Sequence, residues 1–125
     1  MTKIAQRLVI PCTHCGRTAA EMALLPGAVK GEGLWTDRDR LERTGFMGSI
    51  LKFGEWPTLT AWFATLAQQD YAAFDDMDFV GFYCRPCQRV YCDQCWQIGP
   101  PVFDEGFYDY TDGECPVGHS QIVDD

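Results

Sequence analysis

The chain has 125 residues, 46% of them hydrophobic, and its 18 acidic against 10 basic residues give a formal net charge of −8. This size and composition fit one globular domain over residues 1–125 and exclude a disordered chain. The negative charge argues against nucleic acid as a partner, because phosphate binding requires a basic surface. No segment approaches the roughly 18 apolar residues of a membrane span.

The first predicted element is a strand over residues 6–11, which leads into the sequence Cys-Thr-His-Cys-Gly at 12–16. Glycine after the second cysteine suits a tight metal-holding turn, because the residue at that point often needs a positive φ. A returning strand is predicted over 18–25, before a Pro-Gly turn. His14 is a spare donor inside the first turn, and we interpret it as an exposed turn residue rather than a ligand.

Residues 28–54 are rich in glycine and charge and show no sustained period, so we predict loop and irregular β structure there. Five arginines in the chain form two local groups, at Arg38, Arg40 and Arg43 and at Arg85 and Arg89. We expect them to lie in solvated loops and to pair with nearby carboxylates rather than to form a basic binding patch.

An amphipathic helix is predicted over about residues 57–74, where a proline suits the first helical position and apolar residues recur at helical spacing. The apolar stripe consists of Leu59, Trp62, Phe63, Leu66, Ala73 and Phe74. We expect this face to pack against a sheet, and a groove-docking or dimer face is the alternative.

The most specific stretch of the sequence is residues 79–96. Its apolar run at 79–83 predicts a strand that ends in a cysteine, and the spacing Cys-x₂-Cys-x₄-Cys-x₂-Cys follows. The four cysteines are Cys84, Cys87, Cys92 and Cys95. The short separation between the two pairs favours turns that point to opposite sides, although sequential pairing stays open.

Residues 99–114 contain two alternating runs around Asp104-Glu105-Gly106, which predict a β-hairpin, and Asp112-Gly113 predicts a further turn. The aromatic residues here are Phe103, Phe107, Tyr108 and Tyr110, and the acidic residues are Asp104, Glu105, Asp109 and Asp112. Either the rings cover a metal site while the acids face water, or the two together form a surface that receives a basic peptide segment.

All seven cysteines and one histidine fall into four pairs with metal-ligand spacing. The pairs are Cys12 with Cys15, Cys84 with Cys87, Cys92 with Cys95, and Cys115 with His119. Eight such donors match two Zn²⁺ ions, because a structural zinc takes four Cys or His ligands in a tetrahedron. The odd cysteine count and the lack of an apolar N-terminal run argue against a disulfide framework and lead us to expect a cytoplasmic protein, with redox chemistry as the alternative.

The central cysteine spacing, with Val90 and Tyr91 before the third cysteine, resembles that of FYVE-type zinc fingers and, more loosely, of RING and PHD fingers. Such fingers are cross-braced: the first and third ligand pairs hold one ion, and the second and fourth pairs hold the other. The resemblance therefore implies two ions with four ligands each. One ion would be bound by Cys12, Cys15, Cys92 and Cys95, and the other by Cys84, Cys87, Cys115 and His119.

The resemblance further implies an α+β, treble-clef-like domain with two structural zinc sites and short β-hairpins. Its zinc-binding parts are residues 6–27 and 79–125, and residues 28–78 are an inserted segment that carries the helix. FYVE fingers recognise phosphoinositides through a basic run before the second ligand pair. The corresponding residues 78–83 are acidic and apolar, so phosphoinositide binding is unsupported.

These features lead us to expect a zinc-binding adapter that acts in protein–protein interaction. The alternative is a RING-like ubiquitin-ligase-type protein or another zinc-dependent enzyme component. We predict no catalytic residue, because both histidines lie in the metal-binding turns and the sequence contains no His-Glu-x-x-His motif.

Overall fold

A computed structural model of the protein describes residues 3–29, 37–74 and 76–125. Within these ranges the chain forms antiparallel β-sheets and one α-helix, a mixed α and β architecture. The strands are β1 (Gln6–Pro11), β2 (Thr18–Leu25), β3 (Arg40–Thr44), β4 (Ile50–Phe53), β5 (Tyr83–Cys84), β6 (Arg89–Val90), β7 (Gln97–Asp104), β8 (Phe107–Glu114) and β9 (Ser120–Asp124). The helix α1 spans Trp56–Ala67, and a 3₁₀ helix follows at Tyr71–Ala73.

The first sheet has the order β1-β2-β3-β4, with every neighbouring pair antiparallel. Leu24 lies opposite Leu41, and both are buried. Because side chains alternate along a strand, these residues share one face of the sheet with Met22. Helix α1 supplies Leu59, Phe63 and Leu66 to the same buried cluster, so the helix covers this face as its apolar stripe predicts.

Helix α1 begins at Trp56, one residue before the predicted start, with proline in its first turn, and it ends well before the predicted 74. The N–H of Gln68 still bonds to the carbonyl of Ala64, and Gln69 then adopts a left-handed φ of 63°, which stops the helix. Phe74 is nevertheless buried, outside the helix, against the rings of Trp62 and Phe79. No helix in the described ranges has both the length and the apolar character needed to cross a membrane.

The region 28–54, predicted as loop and irregular β structure, contains two regular strands in the part that the structure describes, while residues 30–36 lie outside it. Strand β3 is buried on both faces, so it lacks the alternation that identifies a half-exposed strand. Because β3 and β4 extend the sheet begun by β1 and β2, the two strands described within 28–78 share one sheet with the strands of residues 6–25.

The second half of the chain contains the short β5–β6 hairpin and a sheet of order β7-β8-β9. The predicted strand at 79–83 is mostly turn, and only Tyr83–Cys84 pairs with β6. The predicted hairpin forms between β7 and β8, where Glu105 and Gly106 have φ values of 51° and 86° and make a two-residue turn.

The turn predicted at Asp112-Gly113 is wrong, because both residues lie inside β8. Glycine has a packing role there instead. A Cβ atom on Gly113 would lie 3.0 Å from Cγ1 of Val123 and 3.3 Å from the ring of Trp96. The absence of a side chain therefore allows β9 and Trp96 to approach the strand closely.

Candidate metal centres

The four ligand pairs meet in two clusters, each of which could hold a metal ion. Site 1 consists of Cys12, Cys15, Cys92 and Cys95, and site 2 consists of Cys84, Cys87, Cys115 and His119. Within each site the ligand atoms lie within 4.8 Å of one another. The first pair therefore meets the third and the second pair meets the fourth, rather than each pair meeting its neighbour in sequence.

Two sulfur–sulfur distances in site 1 are close to the edge length of a metal tetrahedron. Cys12 Sγ lies 3.6 Å from Cys95 Sγ, and Cys15 Sγ lies 3.6 Å from Cys92 Sγ. A disulfide would bring two sulfurs to about 2.0 Å. A tetrahedron with metal–sulfur bonds of about 2.3 Å has edges of about 3.8 Å, close to the observed separations.

Site 2 places three sulfurs around the Nδ1 atom of one imidazole. His119 Nδ1 lies 3.2, 3.5 and 3.8 Å from the Sγ atoms of Cys87, Cys115 and Cys84. Cys87 Sγ and Cys115 Sγ are 3.7 Å apart. Given usual zinc bonds of about 2.3 Å to sulfur and 2.0–2.1 Å to nitrogen, the sulfur–nitrogen edges of a tetrahedron are about 3.6 Å. The donor set of site 2 therefore fits a metal bound through Nδ1.

Tight turns place the members of each pair side by side. In the first turn the N–H of Gly16 donates to the carbonyl of Cys12 at 3.0 Å, and Gly16 has the positive φ of 79° that its position predicts. The turn between the strands of the β5–β6 hairpin ends at Gln88, whose φ is 55°. In the last turn the N–H of His119 donates to Cys115 Sγ at 3.3 Å, which orients that sulfur toward the imidazole.

Backbone contacts hold the two halves of site 1 together over a long sequence separation. The N–H of Thr13 donates to the carbonyl of Val90 at 2.9 Å, and the N–H of Val90 donates to Thr13 Oγ1 at 3.0 Å. The side chains of Arg17 and Gln94 form a further hydrogen bond. The β1–β2 turn is thus docked on the segment that carries the third ligand pair.

The thiols of each cluster differ in acidity. Burial raises the pKa of Cys12, but backbone N–H donors outweigh it and lower the value to about 6. Burial raises the pKa of Cys92 and Cys95. In site 2 backbone donors again outweigh burial and lower the pKa of Cys115 to about 6, whereas burial raises that of Cys84 to about 12. A bound divalent cation would stabilise the negative charge of several neighbouring thiolates at the same time.

The two aromatic residues that flank the third ligand pair in sequence, Tyr91 and Trp96, are buried and pack on each other. Trp96 is buried, packs edge to face on Tyr91 at 5.9 Å, and donates its Nε1–H to the carbonyl of Phe82. His14 is exposed in the first turn, with its ring 6.3 Å from that of Tyr91. His14 is not among the residues of either cluster.

The prediction of solvated arginines is wrong for Arg40 and Arg43, which are completely buried. Arg40 donates through Nε to Glu42 at 2.8 Å and through its Nη atoms to three backbone carbonyls. Arg43 donates to the carbonyl of Asp78 and lies 5.5 Å from the ring centre of Phe46, and burial lowers its pKa. In the sequence, only one feature could have indicated the ion pair of Arg40 with Glu42. The two residues are two positions apart, which places both side chains on the same face of a strand.

Comparison with known proteins gives one positive result. No curated protein and no solved structure matches the chain. A family model described as a domain of unknown function, DUF8328, matches residues 2–125, which include every residue of sites 1 and 2. The chain therefore belongs to the DUF8328 family.

Proposed function

We propose that this protein is an adapter for protein–protein interaction whose fold is held by two structural Zn²⁺ ions. The observation that carries the proposal is the pair of four-donor clusters with tetrahedral spacing. Thiolate and imidazole ligands in this geometry suit zinc, whereas Mg²⁺ and Ca²⁺ prefer oxygen ligands. Zinc would be held by four sulfurs in site 1 and by three sulfurs and Nδ1 in site 2.

A structural role follows from the number of donors. Four protein ligands complete a tetrahedron, and a catalytic zinc keeps one position for water or substrate. Each ion would join segments distant in sequence, such as the first turn at 12–15 and the turn at 92–95. A small domain fixed in this way presents rigid loops and strands for recognition, which supports an adapter in preference to an enzyme.

The grouping of the ligand pairs also supports a cross-braced arrangement of the FYVE and RING type. The first pair meets the third and the second meets the fourth, as that resemblance implies. In this protein the ligand turns are combined with a four-stranded sheet and helix α1. Strand β1 precedes the first ligand pair, and the other three strands of the sheet and α1 lie between the first and second pairs in sequence. We propose a cytoplasmic location, where thiols stay reduced and available to zinc.

Metal analysis and partner capture test the two halves of the proposal separately. Protein purified from its native cell without added metal should contain two zinc ions per chain by mass spectrometry. The zinc-loaded chain used as bait should recover a defined protein partner. A Cys95→Ser bait should lose this partner. The matched control is His14→Asn, which leaves both clusters intact and should keep the partner. Absence of zinc, or ubiquitin transfer in a reconstituted assay, would contradict the proposal.

A further inference from the structure

We infer that the β7–β8 hairpin, residues 97–114, is the docking surface of the adapter and that it receives an extended segment rich in Lys and Arg. This inference rests on the proposed interaction function and assigns it to a surface. The hairpin, called the arm below, exposes large aromatic rings. Phe103, Phe107 and Tyr108 have 61%, 78% and 43% of their surfaces exposed.

The aromatic rings of the arm are arranged in a defined way. Phe103 and Tyr108 face each other across the two strands, with their ring centres 6.1 Å apart in an edge-to-face geometry. The Tyr108 hydroxyl lies 2.7 Å from Thr111 Oγ1 and donates to Asp124 Oδ2 at 2.6 Å. This ring is therefore fixed before any partner arrives, which reduces the entropy lost on binding.

The negative charge of the arm favours a positively charged partner. From residue 90 to the last residue of the sequence there is no Lys or Arg, whereas eight carboxylates occur. They are Asp93, Asp104, Glu105, Asp109, Asp112, Glu114, Asp124 and Asp125. None of the five within the arm forms an ion pair with any residue that the structure describes.

Asp104 lies opposite Phe107 across the two strands, and Asp109 is two positions further along β8, so both acidic side chains share a face with this ring. Such a group complements Lys and Arg, whose cationic groups bind both carboxylates and aromatic faces. A metal ion is a poorer fit for the arm. In the described part of the chain, no three of these carboxylates converge as the donors of sites 1 and 2 do.

The sequence of β7 indicates how such a segment docks. The strand lies at the edge of its sheet, but Pro100 and Pro101 have no N–H to offer an added strand, and the pairing with β8 is irregular at this point. Strand addition along this edge is therefore disfavoured. The partner is recognised through side chains, with its cations between the carboxylates and the exposed rings.

The two metal centres determine where the arm is placed. Cys95 of site 1 lies two residues before β7, and Cys115 of site 2 follows β8 directly. Both strands of the arm thus leave from metal-binding turns. A zinc-loaded protein would hold the arm in a fixed orientation relative to the body of the domain.

A direct binding measurement tests the inference. The probe is a short synthetic peptide in which Arg alternates with Gly, and a peptide with Glu in place of Arg is its counterpart. Binding to the zinc-loaded protein is followed by fluorescence anisotropy at physiological ionic strength. The arm variant is Asp104→Asn/Glu105→Gln/Asp109→Asn, and Phe107→Ala tests the aromatic contribution.

The matched control is Glu21→Gln/Asp37→Asn/Glu55→Gln, which removes three exposed charges outside the arm and changes the net charge equally. We expect the Arg peptide, and not the Glu peptide, to bind. The arm variant and Phe107→Ala should each raise Kd at least about tenfold, and the control should change it less than about twofold.

No binding of the Arg peptide, or an equal loss in the arm and control variants, would overturn the inference. These outcomes are separable from failure of the adapter proposal. If the arm variant keeps both zinc ions and captures the native partner as well as the unmodified chain does, the adapter proposal stands and only the assignment of the docking surface fails.

Discussion

Cys115 tests the composition of site 2, because its Sγ atom lies close to both Cys87 Sγ and His119 Nδ1. We expect Cys115→Ser to lower the zinc content from two ions to one per chain, since three remaining donors bind zinc much more weakly than four. Metal analysis after gel filtration measures this directly. His14→Asn is the control and should retain both ions. Two ions in Cys115→Ser would show that Cys115 is not a ligand.

Arg40 tests the buried polar cluster beneath the loop at 26–29. Replacing it with Met removes donors to Glu42 and to the carbonyls of Pro26 and Val29. Taking one partner from a buried charged network costs about 3–5 kcal/mol, so we expect a loss of that size in the free energy of unfolding.

Urea denaturation with zinc in excess, followed by circular dichroism, measures the effect of Arg40→Met. The matched control is Arg38→Met. Arg38 is exposed and lies 4.3 Å from the ring centre of Phe53, so its replacement should cost less than about 1 kcal/mol. Similar losses in the two variants would contradict the role assigned to Arg40.

At the scale of elements, the end of α1 depends on one residue in an unusual conformation. Gln69 has a φ of 63°, which glycine adopts without the steric cost that other residues meet, whereas Gln68 has a φ of −85°. We therefore expect Gln69→Gly to raise the free energy of unfolding by up to about 1 kcal/mol.

The neighbouring substitution Gln68→Gly is the control and should lower the free energy of unfolding by about 0.5–1 kcal/mol, because it only adds backbone freedom. Urea unfolding of the two variants side by side checks the contrast. If Gln69→Gly is the more harmful substitution, the left-handed turn does not determine where α1 ends.

Local signals in the sequence predicted some elements well and others poorly. The start of α1, the β7–β8 turn and the four ligand pairs all follow from short-range spacing and turn chemistry. Strand β3 could not be predicted in this way. Its charged residues Arg40 and Glu42 form a hydrogen-bonded ion pair in the protein interior, and this environment exists only after folding. Gly113 suggested a turn, but its small size serves the approach of β9.

At the scale of the whole molecule, metal removal should affect the chain unevenly. Structural zinc contributes about 10–16 kcal/mol of apparent binding free energy, much of which is folding free energy. We expect a strong chelator to abolish hydrogen-exchange protection first in residues 12–15, 82–96 and 115–119, because these segments contain the ligand turns. Helix α1 and β2 contain none of the eight ligands and supply apolar side chains to the buried core, so they should retain protection longer.

Hydrogen-exchange mass spectrometry before and after chelation follows this loss along the chain. Chelator already saturated with zinc is the control and should leave the pattern unchanged. Even loss of protection throughout the protein, or no loss in the ligand turns, would contradict a local structural role for the metals.

The grouping of ligand pairs in sites 1 and 2 has a consequence for the order of assembly. Site 2 closes a loop with a sequence separation of 35 between Cys84 and His119, whereas site 1 joins Cys12 to Cys95 across 83. Since each doubling of loop length costs about 0.6 kcal/mol, a denatured chain gathers the donors of site 2 more readily. On the ribosome the order is reversed, because Cys95 emerges before Cys115. We therefore expect the donors of site 1 to be complete first during synthesis and those of site 2 to gather first on refolding.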